Sequence, residues 1–376
     1  MRSTDIPVVD APNADALRDA FAVPAPPTVG LEEELMLLDA DTLDLAPRAP
    51  ELLARLDGDP RFKLELPAAQ MEIVLPPAAT VAEAARALRQ ARADLAAAAA
   101  GLGLRPAAAG LHPFAAAEGP LNPGAHYEKT AREYGRVAAR QLVFALQVHV
   151  AIRGADRALA VHNALRSHLP ELAALAADAP FHDGRDTGMA SMRPLISQQL
   201  PRQGVPPALP SWEAYAEALR FVAGGGGRWW WELRPHPEHG TLELRVPDAQ
   251  ATVADAAAVA AVAQALAVWL AERHDAGETP PVHETWRIEE NAWSACRWGV
   301  EGELRDLDGD GGRVPTRERL RELLDALAPV AAKLGCAREL DDARALVERN
   351  GALKVREAAG GDPRAAARWL AERYAA

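Results

Sequence analysis

The chain has 376 residues, of which 49% are hydrophobic, and its formal net charge at pH 7 is −12. This length and apolar content suffice for a large core in one large domain or two fused ones. The acidic balance without a basic footprint excludes a general nucleic-acid-binding protein, and two cysteines are too few for a disulfide framework or a cysteine-based metal site.

The N-terminal residues 1–27 are rich in Pro, Ala and Asp, which predicts a loose arm. Met1–Asp10 has no basic-then-apolar signal pattern. Outside the alanine runs the sequence has no uninterrupted apolar stretch long enough to cross a bilayer, so we predict no transmembrane helix and no membrane partner. We therefore expect a cytoplasmic protein.

Strands and helices alternate in the next part of the chain. The apolar pattern predicts strands at 28–38, 62–66, 70–75 and 104–111. Thr80 and Glu83 form a capping box, and the alanine-rich helix that it starts should end at Gly101. A helix near 127–140, a β-like segment at 142–152 and a helical region at 156–178, broken at Pro170, follow.

The stretch 180–210 is rich in Gly and Pro, and a loop of that length is typical of an active site. Ser211 opens a helix that ends in the flexible turn Gly224–Gly227. Strands follow at 229–234 and 241–246, and nearly everything from Thr252 onward is helical. These elements predict an α+β fold, in which helices pack on a mainly antiparallel sheet of roughly six strands. We expect residues 28–376 to form a single catalytic domain, strand-rich over 28–250 and helical over 251–376.

Side chains of a strand alternate between its two faces. Five predicted strand segments each have one strongly apolar face and one face that carries acids, imidazole or guanidinium groups. The polar faces carry Glu32 and Glu34; Gln70 and Glu72; Gln147 and His149; Trp230, Glu232 and Arg234; and Thr241, Glu243 and Arg245. One interpretation is a solvated sheet face, which is the default for antiparallel sheets. The other is an oxygen-rich Mg²⁺ or Mn²⁺ site, because clustered carboxylates need cations to stay ionised.

Several well-known reaction classes lack their motif in this sequence. There is no phosphate-binding loop of the Gly-x-x-x-x-Gly-Lys type and no dinucleotide-binding Gly-x-Gly-x-x-Gly. There is also no Gly-x-Ser-x-Gly nucleophile elbow and no His-Glu-x-x-His zinc motif. These absences narrow the reaction class and exclude a P-loop enzyme.

Seven motifs, in this order, resemble the type-2 glutamate–cysteine ligase family, and within it the YbdK-like carboxylate–amine ligases. They begin at Gly30 (Gly-Leu-Glu-Glu-Glu), Gln70 (Gln-Met-Glu), Gln147 (Gln-Val-His-Val), Asn163 (Asn-Ala-Leu-Arg-Ser-His), Phe181 (Phe-His-Asp-Gly-Arg-Asp), Trp229 (Trp-Trp-Trp-Glu-Leu-Arg-Pro-His) and Glu290 (Glu-Asn-Ala-Trp). The similarity extends from about residue 28 to 375. It implies a funnel-shaped sheet related to the catalytic part of glutamine synthetase, with ATP and Mg²⁺ ions on its concave face.

The resemblance also implies roles for individual residues. By this resemblance Glu243 is a metal ligand, and Arg245 beside it faces the transferring phosphate. Arg234 would bind the substrate carboxylate or the phosphoryl group. Arg245, Trp230 and Glu232 are the candidates for contacts with ATP. The metal-ligand candidates are Glu32, Glu34, Glu65, Glu72, His149 and Glu243.

For the substrates, the resemblance places candidates in a closing loop at 181–204, namely Arg193 and Arg202, with Gln147 and Gln70 on the strands. Trp229 and Trp231 lie on the apolar face and are expected in the core.

The reaction that the resemblance implies is the ATP-dependent coupling of a carboxylate, glutamate by preference, to an amine, cysteine by preference. It passes through an acyl phosphate and releases ADP and phosphate.

Three alternatives remain open at the level of sequence. The enzyme could join a different carboxylate and amine, or the chain could be an inert binding protein that kept the fold. A metal-dependent hydrolase or nucleotidyl transferase could also use the same acidic sheet. The helices at 253–272 and 316–334 have enough apolar surface for a homodimer contact.

Overall fold

The protein is described by a computed structural model for residues 13–22, 26–223, 229–236 and 238–375. The strands are β1 (Val29–Asp39), β2 (Phe62–Leu64), β3 (Gln70–Val74), β4 (Leu104–Ala107), β5 (Leu146–Ala151), β6 (Phe181–His182), β7 (Arg185–Asp186), β8 (Leu233–His236), β9 (Thr241–Leu244), β10 (Glu303–Arg305) and β11 (Arg313–Pro315). The helices are α1 (Ala14–Ala22), α2 (Ala49–Arg55), α3 (Val81–Ala100), α4 (Ala125–Tyr134), α5 (Arg136–Ala139), α6 (Ala155–Leu165), α7 (Leu169–Leu175), α8 (Arg193–Ser197), α9 (Trp212–Ala223), α10 (Val253–Asp275), α11 (Thr285–Trp298), α12 (Thr316–Leu334), α13 (Ala337–Glu348), α14 (Gly351–Ala359) and α15 (Pro363–Arg373).

Seven strands form one open antiparallel sheet in the order β2-β3-β1-β5-β9-β8, with β4 paired to the far end of β1. The apolar faces of these strands pack on helices, as the alternation predicts, and α10 lies against β5, α3, α6, α12 and α13. The predicted α+β class with a mainly antiparallel sheet is therefore confirmed, with seven strands instead of roughly six.

Local signals account for the helix that supports the first strand. The Thr80 hydroxyl accepts a hydrogen bond from the backbone N–H of Glu83, and α3 ends at Gly101 as predicted. Arg92 of this helix is buried and makes two hydrogen bonds to Glu33 of β1, at 2.9 and 2.5 Å. Glu33 therefore faces the helices, and its ion pair with Arg92 fixes α3 against the back of the sheet.

Helix α10 is long and apolar enough to span a membrane by composition alone. In the fold, however, 83% of its most apolar window is buried among other elements of the chain, so it is a core helix. Most of the apolar surface of α10 is therefore covered within the chain, and the homodimer contact suggested for residues 253–272 stays a prediction. The buried residues of α12 likewise face the core.

The loose-arm prediction fails for residues 14–22, which form helix α1. Leu17 and Phe21 are buried, and the Phe21 ring lies 5.1 Å from the ring of Trp212 in α9. The apolar face of this short helix packs against α6 and α9, which lie far along the chain. Residues 1–12 and 23–25 of the predicted arm lie outside the described residues.

The predicted strand at 229–234 is also wrong in its bounds. Strand β8 begins at Leu233, and the three preceding tryptophans are irregular, so strand alternation does not assign their faces. Trp229 is buried and Trp231 is partly buried against the core, as expected for both. The predicted turn Gly224–Gly227 lies outside the described residues.

The segment 180–210 contains more structure than a loop. It includes the small hairpin β6–β7 and helix α8, whose Pro194 lies in the first turn where a proline is tolerated. The part after Ser197 has no regular element and runs beside Trp230 and α11. This irregular part borders the two cavities described next.

Candidate active site

The polar faces of five strands meet on the side of the sheet that α3 and α10 leave uncovered. Antiparallel register sets Glu34 opposite Glu72, Glu32 opposite Gln147, and His149 opposite Glu243. Because paired residues in a sheet point to the same side, residues as far apart in sequence as Glu32 and Gln147, which are 115 positions apart, become neighbours. The acids, imidazole and arginines of the sequence pattern therefore share one face.

One half of this face is strongly acidic. Burial, together with the nearby carboxylate of Glu65, raises the pKa of Glu34 to about 7. Burial and the charges of Glu65, Glu32 and Glu34 also raise the pKa of Glu72 well above its usual range. Glu34 is held in place by the backbone N–H of Ala145, which donates to it at 2.8 Å. A cation would relieve the repulsion within this cluster.

The other half of the face is organised by the fully buried Glu243. Its carboxylate accepts hydrogen bonds from the guanidinium groups of Arg234 and Arg245, the latter at 2.5 Å. Burial alone would raise the pKa of Glu243, but Arg245 and Arg234 outweigh burial and hold it well below its ordinary value. Glu243 is thus an anion at neutral pH that fixes Arg234 of the neighbouring β8 and Arg245, the residue that follows β9.

Gln147 connects the two halves. Its Nε2 donates to Glu34 Oε1 at 3.0 Å, and its Oε1 accepts from Arg245 at 2.5 Å. Because one amide can donate and accept at once, Gln147 positions the carboxylate of Glu34 and the guanidinium of Arg245 together. In this structure it orders the site, and its predicted contact with substrate stays a prediction.

His149 lies at the upper end of the same face. Its Nδ1 is 3.0 Å from the hydroxyl of Thr241, and its Nε2 lies 3.4 Å from Glu32. Two more imidazoles surround it, since the rings of His236 and His239 stack at 4.3 Å and both lie within 6 Å of the His149 ring. His236 at the end of β8 and His239 before β9 therefore reach the site, whereas their sequence position between two site strands favoured a role in the turn.

Among the residues that the structure describes, no three acidic, histidine or cysteine side chains converge on one point as a ready-made metal site. The donors nevertheless fit a hard divalent cation in number and kind. Glu34, Glu65 and Glu72 repel one another, and the buried Nε2 of His149 lies near Glu32 at 3.4 Å but makes no hydrogen bond to any described residue. Carboxylate oxygens with at most one imidazole suit Mg²⁺ or Mn²⁺.

A cavity of about 220 Å³, here called the sheet cavity, opens over the acidic half. Five of the predicted site residues line it, namely Glu34, Glu65, Gln70, Trp230 and Arg245. The ring of Trp230 is 5.6 Å from that of Tyr134, so it forms part of the wall. Trp230 therefore borders the sheet cavity, as expected. The expectation assumed that Trp230 lies in a strand, but β8 begins only at Leu233.

Two other predicted residues lie elsewhere. Arg193 is buried in an ion pair with Asp248 at 2.6 Å and donates to the carbonyl of Val246, so its visible contacts hold α8 to the end of β9. Glu232 lies outside the sheet cavity and lines a second one. Its assignment as an ATP contact therefore has no support from the geometry.

Sequence patterns missed several residues of the sheet cavity because they come from helices and loops. His126, Tyr127 and Thr130 of α4 line it, together with Gln141 and Gln203. The Tyr127 hydroxyl donates to the carbonyl of Leu64 at 2.8 Å and fixes α4 beside β2. The mixed polar and aromatic composition of residues 126–134 only weakly indicates a binding site, because any exposed helix could have the same composition.

The family model for glutamate–cysteine ligase family 2 matches residues 28–360. The chain belongs to this family. It is 40% identical to a relative from Rubrobacter xylanophilus, provisionally named glutamate–cysteine ligase 2-3, over 89% of this chain and 96% of that one. It is 35% identical to a relative from Corynebacterium efficiens, provisionally named glutamate–cysteine ligase 2-1, over 86% and 88%. The chain is accordingly a glutamate–cysteine ligase-like enzyme.

Two solved structures have the same fold. The glutamate–cysteine ligase of Francisella tularensis, solved in complex with AMP, matches with a TM-score of 0.68 over 94% of this chain and 89% of that one, at 12% identity. A bifunctional glutathione synthetase from Pasteurella multocida matches with a TM-score of 0.64 at 16% identity, over 96% of this chain and 53% of that one. Together with the family, this fold indicates an ATP-dependent ligase.

Proposed function

We propose that this enzyme couples the γ-carboxylate of glutamate to a small amine, with cysteine favoured, through an acyl phosphate formed with ATP. The observation that carries the proposal is the arrangement around Glu243. One buried carboxylate orients two guanidinium groups next to a cluster of acids that calls for cations. This combination suits the transfer of a charged phosphoryl group onto a carboxylate.

Each side chain has a part in this proposal. Arg245 is held by Glu243 and Gln147, so its remaining N–H groups can donate to the oxygens of a transferring phosphate. Arg234 is fixed by Glu243 and by the carbonyl of Trp229, and it would grip the carboxylate substrate. Fixed donors need no reorganisation when charge develops, which is the physical source of rate enhancement in such sites.

The metal-binding part rests on the acidic half of the sheet. Glu34, Glu65 and Glu72 on one side, and Glu32, His149 and Glu243 on the other, would hold Mg²⁺ or Mn²⁺. Such ions neutralise the phosphate oxygens of ATP when they are bound. The clustered carboxylates beside the sheet cavity would repel the phosphates of free ATP, and this favours ATP only as its metal complex.

After phosphoryl transfer the amine attacks the acyl carbon, a C–N bond forms, and the C–O bond to phosphate breaks. The amine loses its proton and orthophosphate leaves. Water must be kept from the intermediate, because hydrolysis would waste ATP. The irregular residues 198–205 border the cavity and are our candidate for this closing segment. We expect the reaction to take place in the cytoplasm.

The proposal is tested by Mg²⁺-dependent ADP release from ATP, with a panel of carboxylates and amines added singly and in pairs. ADP formation that requires both glutamate and an amine, with the amide found by mass spectrometry, would support it. If a different pair is required, the same ligase chemistry acts on other substrates. ATP hydrolysis that needs no carboxylate would contradict the proposal and favour a hydrolase. Failure to bind Mg·ATP in a titration would indicate an inert binding protein.

A further inference from the structure

The proposed phosphate contact, Arg245, lies just beyond the paired part of its strand. Strand β9 ends at Leu244, whose partner in β5 is Val148. The backbone N–H of Arg245 donates to the carbonyl of Glu232 at 2.7 Å, and Glu232 itself precedes β8. Regular sheet pairing therefore does not fix the backbone that carries the Arg245 guanidinium, and contacts from other elements have to hold it.

Arg193, the first residue of α8, makes such contacts. Its Nη2 donates to the carbonyl of Arg245 at 3.4 Å and, more closely, to the carbonyl of Val246. Its Nε donates to the carboxylate of Asp248 at 2.6 Å. The Arg193 side chain is 7% exposed, and the described residues that line the two cavities do not include it. Arg193 thus holds the segment 245–248 without lining the space where substrates would bind.

Asp248 is a firm anchor for the Arg193 guanidinium. Its carboxylate also accepts hydrogen bonds from the Ser191 hydroxyl at 3.1 Å and from the backbone N–H of Asp178 at 2.7 Å. Gly110 packs so closely that a Cβ atom there would lie 2.6 Å from the carboxyl carbon of Asp248. Because the anchor is itself held by hydrogen bonds and packing, it fixes the position of Arg193.

The Arg245 guanidinium has to lie in one place to make its contacts. Its Nη1 donates to Glu243 and to Gln147, each at 2.5 Å, and both partners belong to the sheet. A displacement of about 1 Å in an active site can cost about 100-fold in rate, even when its cause is remote from the reacting atoms. The backbone at residues 245 and 246 therefore matters for the reaction.

We propose that Arg193 is a positioning residue for the ligase reaction. By holding the carbonyls of Arg245 and Val246, it sets the place where the Arg245 guanidinium meets the transferring phosphate. This inference rests on the proposed ligase function. It changes the expected role of Arg193 from a substrate contact to the support of another arginine.

Steady-state ADP release, with the substrate pair that supports ligation, tests this role in two variants. Arg193→Gln removes the charge, and Arg193→Lys keeps it but offers one nitrogen where Arg193 uses two. We expect kcat to fall by roughly 100-fold in Arg193→Gln and by roughly tenfold in Arg193→Lys, with KM for ATP, carboxylate and amine unchanged. If Arg193→Gln does not fold, Arg193→Lys decides the question. A raised KM for one substrate with kcat retained would make Arg193 a substrate contact and overturn the proposal.

A double-mutant cycle separates the positioning of Arg245 from a general loss of structure. Arg245→Gln has no guanidinium left to position, so adding Arg193→Lys to it should lower kcat by less than about twofold. Radiolabelled ATP makes these low rates measurable. The full loss of the single Arg193→Lys variant, repeated in the Arg245→Gln protein, would overturn the proposal.

The matched controls are Arg319→Gln and Arg319→Lys. Arg319 of α12 also pairs with a buried acid, Glu171 of α7, at 2.7 Å. These variants should lower the melting temperature and leave kcat unchanged, because their ion pair lies between two helices and does not reach Arg245. An equal fall of kcat in the Arg319 variants would show that the loss of any such ion pair impairs the enzyme, and it would overturn the proposal.

Crystal structures decide the same point without ligase activity. In Arg193→Lys the Nη1 of Arg245 should move away from Gln147 and Glu243, which lie 2.5 Å from it in the original protein. Unchanged contacts would overturn the proposal even if kcat fell. If no pair of substrates supports ADP release, the proposed function fails, and a displaced guanidinium in Arg193→Lys would still show that Arg193 sets its position.

Discussion

Replacing Glu243 by glutamine tests the centre of the proposed site. Glu243 is fully buried and shares its carboxylate between Arg234 and Arg245, whose side chains are 23% and 19% exposed. Removing one partner of a buried ion pair destabilises proteins by about 3–5 kcal/mol. Because both arginines keep some contact with water and the amide still accepts hydrogen bonds, we expect the lower end, about 3 kcal/mol of unfolding free energy.

The activity should fall much further than the stability explains. With Glu243→Gln the two guanidinium groups lose the charge that aligns them, and we expect ADP release to fall by about 100-fold or more. Urea denaturation measures the first effect, and ADP release at saturating Mg·ATP measures the second. The control is Glu303→Gln, which removes the acid of an exposed pair with Arg313 and should change neither.

The stability difference should also depend on pH. Because the folded pKa of Glu243 lies below the ordinary value of 4.5, its stabilising contribution is complete above that value and is lost as the pH falls toward the folded pKa. The gap between the two proteins should therefore shrink as the pH falls below 4.5. A Glu243→Gln protein that is as stable as the original at neutral pH, or one that keeps substantial turnover, would refute this reasoning.

Three further outcomes are expected. Arg245 contacts Glu243 and Gln147 through one guanidinium nitrogen, and Arg245→Lys keeps the charge but removes the other N–H groups that would face the phosphate. Phosphoryl transfer should therefore fall by about 100-fold with ATP affinity nearly unchanged, whereas equal losses would contradict its role. Because the pKa of Glu34 is raised to about 7, Mg²⁺ binding near that pH should release protons, and calorimetry in two buffers of different ionisation enthalpy measures them. The pKa of Glu171, lowered to about 2 by His168 and Arg319 against the effect of burial, implies that Glu171→Gln loses on the order of 3 kcal/mol at neutral pH. That loss should disappear as the pH falls from 4.5 to about 2, and a constant loss in urea denaturation would argue against the ion pair.

Much of the sheet could be read from the sequence because its information is local. Alternation put Glu32 and Glu34 on one face of β1, and the same rule placed Glu72, His149 and Glu243 correctly on theirs. The cap at Thr80 likewise depends on residues three positions apart. Period-two patterning and capping involve neighbours along the chain, so no knowledge of distant segments was required.

Other features were decided by contacts between distant segments. Trp229–Glu232 has a strand-like composition, yet the chain there is irregular, and Glu232 lines a cavity with α11. Arg193 was a plausible substrate contact until folding placed it against Asp248. Helix α1 stays in place because α6 and α9 cover its apolar face.

The sequence by itself determined the family, the fold class and the set of acids and arginines that share one sheet face. Only the tertiary structure decided which of these groups meet, that Glu243 serves two arginines at once, and that a second cavity adjoins the first. The physical reason is that charge and polarity are properties of single residues. Pairing, burial and cavity shape depend on residues brought together by antiparallel register and helix packing, and these are set by the whole chain.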